Sequence, residues 1–148
     1  MGEKFHTFFV GAARVAFLVY FGMVLYVCFG HFDDLPDMSK PIWGIPQDKI
    51  IHFIMFFPFP ILAALALNLR PARYGKAVLE AVLVLACGLC IAAATEIAQG
   101  FTSYRNPSVW DWVADTSALV SSSLLLLIAL LIQVRRTCKK AATQPADS

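Results

Sequence analysis

Apolar residues run in four long stretches, at residues 12–30, 50–69, 77–95 and 112–134, and the polar residues crowd into the connections between them. Each stretch is near the ~20 residues a helix needs to cross a ~30 Å hydrocarbon core. The pattern predicts an all-α integral membrane protein, a four-helix transmembrane bundle built as one domain over residues 1–148. Pro58 and Pro60 interrupt the second stretch, and because each lacks a backbone donor a kink or broken turn is predicted there. Asn68 reads as a C-terminal cap. The connection from His31 to Lys49 carries three prolines and Trp43, which suits an ordered interfacial loop better than a helix.

Composition agrees with the pattern. The chain is 59% hydrophobic and 15% charged, with a mean hydropathy of +0.68, far from the roughly one-quarter charged content of soluble domains. A lipid bilayer is therefore the expected partner, and no nucleic-acid partner is expected. The first stretch is too long and bulky for a secretory signal and ends in VCFGHFDD without a small-x-small pattern, so it reads as a retained span. LYVC at Cys28 lacks the small residue expected before a lipidated cysteine.

Charge sets the expected orientation. Lys4, Arg14, Arg70, Arg73, Lys76, Arg135, Arg136, Lys139 and Lys140 fall on one side of an alternating four-span path; Lys40, Lys49 and Arg105 fall on the other. The positive-inside rule then places both termini and a basic tail, residues 135–148, in the cytoplasm. The extracytoplasmic side receives the start of span two, the end of span three and the start of span four.

Those three ends carry DKIIH, TEIAQ and WDWVAD. Asp48 and His52 are spaced i, i+4, Glu96 and Gln99 i, i+3, and Asp111 and Asp115 i, i+4, so each pair shares a helix face. One helical turn, ~5.4 Å, sets His52 and Asp115 deeper than Asp48 and Asp111. Ionisable groups at that depth are costly and usually face a bundle interior or wet cavity with partners. His52 suits proton transfer or metal ligation, and Arg105 a fork onto a phosphate or carboxylate, or pairing with Asp111 or Glu96. Glu96, Asp111 and Asp115 suit a hard divalent ion, and His52 with carboxylates also suits zinc. No HExxH, GxSxG, P-loop or dinucleotide motif is present.

The same residues resemble the VanZ-like family of small bacterial membrane proteins, known through resistance to the glycopeptide teicoplanin. Asp48, Lys49 and His52 match its Asp-Lys-x-x-His start to a span. Glu96, Gln99, Arg105 and Asp111 match its Glu-x-x-Gln, Arg and Asp positions in register. The chain departs from the pattern at Asp115, where Asn is usual, and at Ala118, where Gly is usual. The resemblance spans Asp48 to about Leu125 and implies a four-span protein of the bacterial cytoplasmic (inner) membrane with an extracytoplasmic polar site. It supplies no reaction.

Two classes of function follow. In one, the pocket binds, and in its catalytic form modifies, a lipid-linked cell-envelope precursor or phospholipid headgroup. Here Arg105 and Lys49 hold an anionic group, with Asp48 and Gln99 beside them; His52 and Glu96 move protons, and Asp111 and Asp115 orient Arg105 or a metal. In the other, the cluster is a non-catalytic lock for helix ends and loops. A small transporter ranks below both, because no ionisable residue clearly sits mid-span. Cys87-Gly-Leu-Cys90 is expected to be buried thiols packed beside Gly88, and Arg14 to snorkel to the cytoplasm or pair with Glu80. Trp43, Trp110 and Trp112 read as an interfacial belt.

Overall fold

The computed structural model describes residues 2–30, 41–42, 44–102 and 108–143. Its helices are α1 (Gly2–Phe29), α2 (Gln47–Phe56), α3 (Phe59–Ala66), α4 (Tyr74–Gln99) and α5 (Val109–Thr143). Between α1 and α2, β1 (Pro41–Ile42) pairs antiparallel with β2 (Ile45–Pro46), a small addition to the all-α expectation. Gly44, at φ 82°, supplies the left-handed residue of the turn joining them. Trp43 and Arg105 lie outside the described residues.

Among the described residues, four helices are long and apolar enough to cross a membrane, α2 and α3 counting as one broken span, Gln47–Ala66. The helices outrun the apolar windows. α1 begins at Gly2 rather than near residue 12, and α5 carries the basic segment on as helix to Thr143. Backbone hydrogen bonding does not stop where side chains leave the hydrocarbon, so apolar windows report lipid contact and not helix ends. At 1.5 Å per residue, α5's 35 residues reach about 52 Å, well beyond a ~30 Å core.

The break falls at the prolines. Phe57 and Pro58 form a turn between α2 and α3, and the Tyr20 hydroxyl donates to the Met55 carbonyl at 2.6 Å within the interrupted ladder. A neighbouring helix thus satisfies backbone at the kink, the condition for tolerating proline in lipid. α3 closes with Asn68 at φ 53°; Leu69 N–H donates to Ala64 O at 3.0 Å and Asn68 N–H to Leu65 O at 3.1 Å, the paired bonds of a Schellman cap.

Contacts between helix ends fix the alternation. Arg14 Nε donates to Ala66 O at 3.2 Å, joining the middle of α1 to the end of α3, while Gln99 Nε2 donates to Cys28 O at 3.0 Å, joining the ends of α4 and α1. Arg14 therefore caps α3; Glu80 has Lys76, 3.7 Å away, as its ion-pair partner among the described residues.

Small side chains let the helices approach. α4 buries Ala77, Ala81, Val84, Gly88 and Ala92 along one stripe, and small residues are what membrane helices place at close contacts. A Cβ at Gly88 would stand 2.7 Å from Leu119 Cδ2 and 3.1 Å from Phe59 Cδ1, so α3, α4 and α5 meet there. Because Gly88 points inward, Cys87 and Cys90 are turned outward and exposed. They are not the buried pair expected from the sequence. Leu18, Leu83, Leu124 and Ile128 are all more than half exposed, forming an apolar exterior suited to lipid.

Candidate functional site

The inward stripes of three helices change character at one end of the bundle. On α4 the small residues give way to buried Thr95, Glu96 and Gln99; on α5 the stripe begins with Asp111 and Asp115 before Ala118 and Leu119; α2 presents His52 one turn before Phe56. The i, i+4 spacings keep each set on one face, and bundle packing turns the three faces toward one another.

Two linked groups result. In the first, Lys49 Nζ donates to Asp48 Oδ2 at 2.6 Å, to Asp111 Oδ1, and to Ser108 Oγ at 3.5 Å. The ammonium thus bridges α2 to the start of α5. Asp48 is the outermost member, its side chain 40% exposed against 12% for Asp111.

The second group lies deeper. Nδ1 of His52 is 3.0 Å from Asp115 Oδ1 and 3.8 Å from Glu96 Oε1, and all three residues are buried. Both Glu96 oxygens and Asp115 Oδ2 are buried without a well-formed hydrogen bond among the described residues. Asp115 holds one edge of the imidazole in place; Glu96 faces it with its acceptor capacity unused. Asp111 links the groups, since ligand atoms of His52, Glu96 and Asp111 lie within 4.8 Å of one another.

Of the residues singled out from sequence, Asp48, Lys49, His52, Glu96, Asp111 and Asp115 come together. Gln99 is buried, but its amide is engaged by Cys28 O, so it fastens α4 to α1 at the edge of the cluster. Arg105 falls outside the described residues. Trp110 and Trp112 are exposed at the same end, flanking inward Asp111.

Sequence reasoning missed Ser108 and Tyr20. Ser108 directly precedes α5, and Asp111 and Trp112 N–H donate to its carbonyl at 3.0 and 3.3 Å. Ser108-x-x-Asp111 has capping-box spacing, a signal that was present in the sequence. Nothing local marks Tyr20, whose partner is 35 residues away.

No family model matches the chain, and no solved structure matches it. An uncharacterized protein of Schizosaccharomyces pombe is 29% identical over 114 residues, which are 77% of this chain and 63% of that protein. The chain thus spans less than two thirds of the curated relative it matches.

Proposed function

We propose that the protein is a VanZ-like protein of the bacterial cytoplasmic membrane, with both termini inside, whose polar cluster is an extracytoplasmic pocket for the headgroup of a lipid-linked cell-envelope precursor or phospholipid. The observation that carries this reading is the buried convergence of His52, Glu96 and Asp115 from three separate helices, with the acceptors of Glu96 unused. Burying such groups without a role is costly in a bundle whose exterior is otherwise apolar.

In this reading His52 is the proton donor and acceptor, oriented by Asp115, and Glu96 is a second acid–base group across from it. Lys49 is already bridged by Asp48 and Asp111, which leaves Arg105 as the cation for an anionic headgroup. The link to teicoplanin resistance comes from the resemblance alone.

The Lys49 bridge and the His52–Asp115 contact both fasten α2 to α5, and this favours a second reading, a non-catalytic module locked by its polar residues. Mass spectrometry of lipids copurifying with the wild type and with Arg105→Ala separates the two. A headgroup-bearing lipid enriched in the wild type and lost in the variant supports the pocket; identical lipid profiles from both proteins sink it.

A further inference from the structure

We infer that His52, Glu96 and Asp111 form a binding site for a zinc-class divalent cation. The inference rests on reading the cluster as a binding pocket, is independent of which headgroup enters it, and gives His52 and Glu96 a ligand role in place of proton transfer. It stands on three observations: the donor set, its spacing, and the unused acceptors of Glu96.

One imidazole and two carboxylates are a common donor set for Zn2+, which takes nitrogen and oxygen ligands at about 2.0–2.2 Å. Two such ligands in tetrahedral array stand about 3.4 Å apart by that geometry. His52 Nδ1 and Glu96 Oε1 are 3.8 Å apart, and the three donor atoms all fall within 4.8 Å. Small side-chain rotations close the remainder.

Glu96 points to a ligand on independent grounds. It is 8% exposed, its carboxylate makes no hydrogen bond of good geometry among the described residues beyond an approach by the Ser108 backbone, and it faces His52 and Asp111. A buried carboxylate without hydrogen bonds is among the most unfavourable groups a protein can hold. Lys49 does not relieve it, because its bonds go to Asp48, Asp111 and Ser108. Four carboxylates therefore face one lysine and one histidine in the described cluster, an excess of negative charge that a divalent cation offsets.

Asp115 Oδ1, fully buried, lies 3.0 Å from the same Nδ1 that faces Glu96, so a metal held by that nitrogen replaces the His52–Asp115 contact. The preference for zinc over magnesium follows from the imidazole, since magnesium favours all-oxygen sites.

The test is metal content and Co2+ substitution in the full chain in detergent. After incubation with Zn2+ and desalting, elemental analysis should find about one zinc per wild-type chain, and Co2+ should give visible absorption bands that Zn2+ removes. Glu96→Gln keeps the shape of the side chain and removes its charge; it should retain the wild-type circular dichroism and elution volume while losing the metal. Glu80→Gln, which changes a carboxylate nearer the start of α4, should retain it. A wild type that takes up no zinc, or a folded Glu96→Gln that binds it equally well, overturns the site. Wild type that retains its headgroup lipid in EDTA and takes up no zinc would reject the metal while leaving the headgroup pocket standing.

Discussion

Asp115 Oδ1 stands 3.0 Å from Nδ1 of His52, and the Asp115 side chain has no exposed surface. This contact, between α2 and α5 at positions 63 residues apart, joins two buried side chains at the site end of the bundle. Asp115→Ala removes the partner of a buried imidazole and should destabilise the fold by about 3 kcal/mol. Asp115→Asn keeps an acceptor for a ring N–H and should cost about 1 kcal/mol. Thermal unfolding in detergent, followed by circular dichroism, measures both. Equal stability of the Ala and Asn variants would show that the contact holds nothing.

Lys49 bridges two carboxylates with a side chain 18% exposed, between the surface and buried limits for ion pairs. Lys49→Met should therefore lower stability by on the order of 2 kcal/mol. The double variant Lys49→Met with Asp111→Asn should lose less than the sum of the single changes, because both single changes remove the same Lys49–Asp111 contact.

At Gly88, α4 lies close against α3 and α5. A methyl group there meets Leu119 at 2.7 Å, and Leu119 is itself fully buried. Gly88→Ala should cost about 1–3 kcal/mol by overpacking. Adding Leu119→Ala should yield a double variant more stable than the two single costs would sum to, since the clashing atom is gone.

The Tyr20 hydroxyl reaches the Met55 carbonyl at the proline break. Tyr20→Phe should cost about 1 kcal/mol. The variant's unfolding transition, compared with that of Leu18→Ala on the outward face of the same helix, isolates the bond from general loss of side-chain volume.

A reporter joined after Ser148 should behave as cytoplasmic in a bacterial membrane, following the distribution of Lys and Arg. An exported signal would place the cluster on the cytoplasmic side and remove the proposed access to envelope precursors.

Hydropathy by itself determined the four spans, because a ~30 Å apolar core demands a fixed length of apolar helix. Single residues in the sequence likewise determined the break at Pro58 and Pro60 and the cap at Asn68, because they dictate backbone geometry. Helical spacing grouped Asp48 with His52 and Asp111 with Asp115, since that periodicity is local.

The tertiary structure alone decided which groups meet. His52 is satisfied by Asp115 and faces Glu96, Lys49 is claimed by Asp48 and Asp111, and Gln99 turns to the Cys28 carbonyl. It also turned Cys87 and Cys90 to the exterior, because the azimuth of α4 is set by seating Gly88 against Leu119 and Phe59. The α4 windows are apolar all round, so no hydrophobic face in the sequence announces that azimuth. Spacing fixes which residues share a face, whereas close packing between helices fixes where that face points.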